Sequence, residues 1–115
     1  MKKNYLGASI VILIIIGAIA YSKFVNNTPS EIVVRSATYG ENCGGGAGNV
    51  TEKVQIACGG RETCDYVVDV AKLGDPGPNC GKDFSVQYVC NTSSAVRTAT
   101  LPGEANGHSV HLLCR

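Results

Sequence analysis

The stretch that decides the fold runs from residue 57 to residue 90. It begins Ala57-Cys58-Gly59-Gly60-Arg61-Glu62-Thr63-Cys64, continues with Leu73-Gly74-Asp75-Pro76-Gly77-Pro78-Asn79-Cys80, and ends with Lys82 and Tyr88-Val89-Cys90. The stretch holds four of the six cysteines of the chain and its strongest turn signals. Gly-Gly, Asp-Pro-Gly and similar sequences end regular elements and form tight turns. We therefore expect short elements joined by turns, with fold and site both centred here.

Length and cysteine content limit the class of protein. The chain has 115 residues, six of them cysteine, and its N-terminus is apolar, so about 85 residues remain for one small domain. A core of that size often needs covalent links, and three disulfides persist only in an oxidising compartment. The net charge is +1 with acidic and basic residues interspersed, which excludes the electrostatic pattern of a nucleic-acid-binding protein.

Residues 1–22 are predicted to be a signal peptide or a membrane anchor. Two lysines precede the apolar run from Leu6 to Ala20, and no further charge appears before Lys23. A helix from Asn4 to Ser22 would cross roughly 28 Å, enough for a bilayer core. Ala18-Ile19-Ala20 resembles a signal-peptidase site, so cleavage stays open. Either alternative predicts export: a membrane-anchored extracytoplasmic domain if the helix is retained, or a secreted or periplasmic domain if it is removed.

The remaining chain is predicted to form a short linker and one domain. Residues 23–30 are polar and contain Pro29, as a linker or stalk does, and the domain covers residues 31–115. The predicted strands are 31–39, 65–70 and 84–90, and a terminal β-hairpin pairs 95–100 with 109–114. Asn49, followed three residues later by Glu52, predicts the N-cap of a helix that ends at Cys58, and Asp69 is predicted to cap a turn.

These elements define the fold class. We predict an α/β (α+β) domain, small and disulfide-stapled, with antiparallel strands and one or two short helices, preceded by the hydrophobic N-terminal helix. The alternation of Phe84, Val86 and Tyr88 marks the strand that is most clearly amphipathic.

The cysteines are expected to form disulfides rather than a metal site. No cysteine pair has zinc-ligand spacing, and His108 and His111 would point to opposite faces of a strand, so neither a metal nor another cofactor is predicted. Six cysteines allow fifteen pairings, among which the sequence alone does not choose. Local spacing suggests one set: Cys58–Cys64 across a helix end, Cys90–Cys114 around the terminal hairpin, and the remaining pair Cys43–Cys80.

Several short motifs occur in an order that is typical of one family. They are Ala37-x-Tyr39-Gly40, Cys58-Gly59-Gly60-x-x-x-Cys64, Gly74-Asp75-Pro76, Lys82 and Tyr88-x-Cys90. Over residues 31–90 the chain resembles the galactose- and rhamnose-binding lectin domain, the sea-urchin-egg-lectin (SUEL) type. The resemblance implies a small disulfide-bonded domain of antiparallel strands and short helices that binds terminal galactose or rhamnose without a metal.

The chain departs from the family pattern at defined places. Glu41 stands where the family has Arg, and nothing before Ile32 corresponds to the family's early cysteine-bearing strand, which contributes a sugar-binding Glu. The resemblance supports the pairs Cys58–Cys64 and Cys43–Cys80. In the family, the equivalent of Cys90 pairs with a cysteine on the missing strand, so Cys114 is its natural substitute.

The candidate sugar-binding residues are Tyr39, Asp75 and Lys82, with Glu41 and Gly81 as second-rank candidates. A hexose needs a carboxylate that accepts from hydroxyls, a cation that donates, and an apolar plane for its C–H face. Gly81 would offer a backbone N–H. The alternative is that Asp75 merely caps a turn, Lys82 is solvated and Tyr39 belongs to the core.

Two functions follow from these alternatives. The first is an extracytoplasmic carbohydrate-binding lectin module for galactose- or rhamnose-type sugars. The second is a disulfide-stabilised structural or protein-interaction module that has lost sugar binding. An enzyme is not predicted, because no nucleophile with a placed His is apparent in the sequence.

Overall fold

The computed structural model describes residues 28–115. Within this range the fold is a small mixed α+β domain with five antiparallel strands in two sheets, two helices and three disulfides. The predicted signal or anchor, and linker residues 23–27, lie outside the described residues. No helix in the described part is long and apolar enough to cross a membrane. The elements are β1 (Ile32–Tyr39), a 3-10 turn (Glu41–Cys43), α1 (Thr51–Cys58), β2 (Thr63–Val67), α2 (Val70–Leu73), β3 (Phe84–Cys90), β4 (Arg97–Leu101) and β5 (Ser109–Leu113).

The larger sheet has the order β1-β3-β4, with β3 in the centre. The β1–β3 register runs from Ile32 opposite Cys90 to Tyr39 opposite Phe84, with one irregularity between Val34 and Ser36. The predicted apolar face of β3 is confirmed, because its alternate side chains are buried in the core. Strand β1 therefore ends directly beside the start of β3, and this end of the sheet carries Tyr39 and Gly40.

The predicted terminal β-hairpin is wrong. Both of its strands form, but β4 pairs with β3, whereas β5 pairs with β2 in a separate two-stranded sheet. The connection between them does not turn back on itself, because Ala105 is buried and its N–H donates to the Lys82 carbonyl. Gly107 N–H then donates to the Val68 carbonyl. These bonds carry the chain from one sheet to the other, so the segment between β4 and β5 crosses the end of the domain.

The predicted helix forms as α1, but its cap differs from the prediction. Val50 occupies the N-cap position without a side-chain hydrogen bond. The Asn49 amide instead accepts from Tyr39 N–H at 2.8 Å and donates to the Tyr39 carbonyl at 2.8 Å. Thr51 and Gln55 of α1 accept in the same way from Ala37 and Val34 N–H. Side chains from α1 and its approach therefore cover the outer edge of β1.

Strand β2 begins and ends earlier than predicted, at Thr63–Val67 rather than 65–70. Val68 N–H still donates to the His108 carbonyl, and Asp69 then turns the chain into α2. The predicted role of Asp69 is confirmed, since its carboxylate accepts from Ala71 N–H at 3.0 Å. Helix α2 thereby starts close to the crossing segment between β4 and β5.

All three suggested disulfides are present: Cys43–Cys80, Cys58–Cys64 and Cys90–Cys114. The first ties the turn after β1 to the loop before β3, the second ties α1 to β2, and the third joins the two sheets. Three disulfides in a domain of this size are consistent with an extracellular protein. The side chains enclosed between the sheets and α1 are largely apolar, and the largest fully buried ones are Tyr39, Phe84, Ile32, Leu112, Val54, Val68 and Val86.

Candidate functional site

A polar cavity of about 220 Å³ opens where the end of β1, the loop before β3 and the crossing segment meet. It is lined by Tyr39, Val70, Asp75, Cys80, Gly81, Lys82, Glu104 and Asn106. Four of the five predicted sugar-binding residues are among them, although they come from separate stretches of sequence. The fifth, Glu41, is exposed in the 3-10 turn and does not line this cavity.

Lys82 is the buried cation of the cavity, with only 8% of its side chain exposed. Its ammonium lies 2.7 Å from Asp75 Oδ1 and donates to the carbonyls of Gly77 at 3.0 Å and Cys80 at 2.9 Å. An ammonium has three N–H donors. All three are therefore directed into the 75–82 loop, and Lys82 holds that loop in shape rather than presenting a donor to the cavity.

Asp75 is the ionised acceptor at the cavity mouth. Its side chain is 44% exposed, and Oδ1 takes both the Lys82 ion pair and the hydrogen bond from Gly77 N–H at 3.2 Å. The hydrogen bond from Lys82, followed by that from Gly77 N–H, lowers the pKa of this carboxyl below its ordinary value of 3.8. Because these contacts use Oδ1, Oδ2 can accept hydrogen bonds from a ligand.

Tyr39 lines the floor of the cavity, with 1% of the residue exposed. The Lys82 ammonium lies over its ring, 5.9 Å from the centroid. The ring therefore supports the buried cation through a cation–π contact and offers no open face to a ligand. The half-buried side chain of Val70 is the apolar group that faces the cavity from α2.

Two glycines are required by close approaches around the cavity. Gly40 has φ of 79°, and a Cβ there would come within 2.8 Å of Pro76 and 3.0 Å of the Lys82 side chain. A Cβ at Gly81 would come within 2.5 Å of Glu104 Oε1. The Tyr39-Gly40 pair and Gly81 thus allow the loop before β3 and the crossing segment to pack against the end of β1.

Glu104 and Asn106 are the cavity residues that sequence reasoning missed. Both lie in the Pro102–Gly107 segment, between the two strands of the predicted terminal hairpin. Glu104 adopts a left-handed backbone with φ of 68°, and Asn106 Oδ1 accepts from Val70 N–H at 2.8 Å. Within residues 28–115 the Glu104 carboxylate has no hydrogen-bond or ion-pair partner. The local sequence around Glu104 does not show that this side chain reaches the cavity, because its approach to Lys82 depends on long-range strand pairing.

A larger groove lies elsewhere on the domain, with a volume of about 540 Å³. It is lined by Lys53, Ile56, Ala57, Tyr66, Val67, Lys72 and Leu73. Ligand sites combine an enclosing surface with a few convergent polar groups. The groove is larger but mostly apolar, so the smaller polar cavity is the better candidate for recognition of a polar molecule.

The described part of the chain contains no candidate metal site. Residues 28–115 contain no group of three or more His, Cys, Asp or Glu side chains placed to hold a metal ion. The cysteines are all in disulfides.

Comparison of the chain with known proteins gives no relative from which to infer its role. No family model, no curated protein and no solved structure matches it. Function has to be inferred from the polar cavity itself.

Proposed function

We propose that the domain is an extracytoplasmic lectin module that binds a galactose- or rhamnose-type sugar in the polar cavity, without a metal and without chemistry. The observation that carries the proposal is the convergence of Tyr39, Asp75, Gly81 and Lys82 in one cavity. The sequence alone predicts these four residues as site residues, and they line the same cavity. Contacts of Lys82 with Asp75 and Tyr39 bring these residues together, and Glu104 joins them from the crossing segment with a carboxylate that has no partner within residues 28–115.

The cavity has the hydrogen-bonding groups that a sugar requires. Asp75 Oδ2 and the Glu104 carboxylate accept from hydroxyls, whereas Asn106 Nδ2 and the backbone N–H of Gly81 donate. Within the described chain neither of these donors has another hydrogen-bond partner. Val70 can pack against a C–H face of the ring. In this proposal Lys82 fixes Asp75, so its role changes from the predicted donor to a positioning residue.

The C-terminal segment supplies groups that the missing N-terminal strand of the lectin pattern would carry. The resemblance requires an early strand that carries a sugar-binding Glu and a cysteine partner for Cys90. In this chain the partner of Cys90 is Cys114, which follows β5, and Glu104 lies in the cavity just before that strand. We assign the segment from Glu104 to Cys114, which includes β5, the role of the missing N-terminal strand, because it supplies a carboxylate to the cavity and a cysteine partner to Cys90.

A second function, a protein-interaction module, is favoured by the apolar groove. Ile56 is 77% exposed and Val67 57% exposed in this groove. Large exposed apolar side chains that lie together often mark a contact surface. This alternative uses a different face of the domain, so mutations distinguish the two functions.

Glycan-array binding of the protein tests the proposed function. We expect binding to galactose- or rhamnose-terminated glycans that chelators leave unchanged. Asp75→Ala should weaken binding by about tenfold or more, because a charged acceptor is lost. Asp65→Ala is the matched control, since Asp65 is an exposed carboxylate on β2 outside the cavity.

Folding has to be measured in parallel, because Asp75 also holds the turn before Gly77. A folded Asp75→Ala protein that binds its glycan as tightly as the wild type would contradict the proposed site. Absence of binding to any glycan, with apolar partners captured through Ile56 and Val67, would favour the interaction module.

A further inference from the structure

The charge of the polar cavity is unbalanced. Among the described residues its charged lining groups are the carboxylates of Asp75 and Glu104 and the ammonium of Lys82, which gives a sum of −1. A ligand in the cavity meets more negative charge than this sum indicates. Lys82 is buried and its three donors are engaged within the loop, whereas Asp75 and Glu104 are exposed.

We infer that the cavity prefers an amino sugar with a free ammonium group over the neutral sugar, and that it rejects acidic sugars. This inference rests on the proposed lectin function and names the ligand class of the same site. The ligand would be a 2-amino-2-deoxyhexose such as galactosamine. The acetylated form and the uronic acid would be the disfavoured relatives.

Donor and acceptor matching gives the first reason. An ammonium is a pure donor with three N–H groups, and ionised carboxylates are pure acceptors. The Asp75 carboxylate keeps Oδ2 for a ligand, and Glu104 has no partner within residues 28–115. A sugar hydroxyl that donates to an ionised carboxylate has one charged partner, whereas an ammonium in its place makes both partners charged and adds an ion pair to the hydrogen bond.

Exclusion of anions gives the second reason. A carboxylate on the sugar would meet like charges from Asp75 and Glu104. The nearby cation cannot compensate, because its three donors are engaged and binding an anion would require Lys82 to release Asp75 or the carbonyl of Gly77 or Cys80. Leaving the carbonyl of half-buried Gly77 or Cys80 without a donor is unfavourable. The geometry therefore discriminates by the sign of the ligand charge.

Calorimetric titration of the full chain tests the inference. The protein is held in a detergent without a sugar headgroup, at about pH 6, where exposed carboxylates are ionised and the amine is protonated. Galactose, galactosamine, N-acetylgalactosamine and galacturonate are compared. We expect galactosamine to bind about two- to fivefold more tightly than galactose, which is the range of an exposed ion pair. Galacturonate should bind more weakly than galactose. The galactosamine preference should shrink as salt is added.

A charge-neutralising variant locates the effect. Glu104→Gln keeps the side-chain size and should bring the galactosamine-to-galactose affinity ratio close to one. Glu52→Gln removes the same charge from the exposed surface of α1 and should leave the ratio unchanged. Asp75→Asn is a second variant with the same expected direction, so the test does not depend on the folding of one protein.

The outcomes separate this inference from the function on which it rests. Galactose binding with no preference for galactosamine would overturn the inference and leave the lectin function in place. A preference that both neutralising variants retain would also overturn it. Absence of binding to any of the sugars would overturn the lectin function, and the inference with it.

Discussion

The polar cavity and the apolar groove differ in how their walls are held. The groove is more than twice as large, about 540 Å³ against 220 Å³, yet it exposes Ile56 and Val67 to solvent and its polar contact is the bond from Lys53 Nζ to the Lys72 carbonyl. The cavity is bounded by a buried ammonium and by the Cys43–Cys80 disulfide. Volume measures the room for a ligand, whereas recognition depends on polar groups that the fold keeps in fixed positions.

The polar cavity is lined by one lysine and the apolar groove by two, and replacing one lysine in each should give the largest difference in stability. Lys82→Met is expected to lower the free energy of unfolding by about 1–3 kcal/mol, because the carbonyls of half-buried Gly77 and Cys80 lose their donor. Lys72→Met, on the exposed rim of the groove, should change it by less than about 0.5 kcal/mol. Urea unfolding of both variants measures the contrast. Equal effects would show that the Lys82 contacts do not stabilise the loop.

Acid should weaken the Lys82–Asp75 ion pair of the polar cavity and so lower the stability of the domain. Because the hydrogen bond from Lys82 lowers the pKa of Asp75 in the folded state, ionised Asp75 stabilises the loop at pH values above 3.8. This stabilisation is lost as the pH falls below that value through the lowered folded pKa. The wild type should therefore lose more stability on acidification than Asp75→Asn does. Urea midpoints between about pH 2.5 and pH 7 measure the difference. Parallel curves for the two proteins would contradict the ion pair.

The groove should tolerate substitution with the smallest effect on stability. Ile56 is 77% exposed, so Ile56→Ser removes little buried apolar area and should change the free energy of unfolding by less than about 0.5 kcal/mol. Sugar binding should not change, because Ile56 lies outside the cavity. A loss above about 1 kcal/mol would mean that the groove is a packed surface and that its contrast with the cavity is false.

Local signals predicted much of the fold. The alternation in β3, the helical spacing of α1 and the cap at Asp69 all act over a few residues, and each of these elements formed. The disulfides followed from their spacing and from the lectin resemblance. Strand pairing, in contrast, is decided by long-range contacts. Alternation in β4 and β5 predicted two strands without specifying that each would pair with a different partner.

The candidate site also combines residues that local sequence predicts with residues that long-range contacts place there. Asp75 and Lys82 lie in one loop, so sequence spacing and resemblance brought them together. Glu104 and Asn106 enter the cavity because Ala105 and Gly107 bond to Lys82 and Val68, far away in the chain. The sequence also does not predict that all three Lys82 donors are engaged. Two of them bind backbone carbonyls, and the direction of a carbonyl does not follow from the residue type.

The side chains that cover the outer edge of β1 also bear on how separate molecules meet. An open edge strand is a template on which a strand from another chain can add, and repeated addition leads to aggregation. Asn49, Thr51 and Gln55 already accept from the N–H groups of Tyr39, Ala37 and Val34. An incoming strand would have to displace side chains that α1 and its approach hold in place. The folded domain therefore terminates its own sheet on this side and blocks growth of intermolecular sheets along β1.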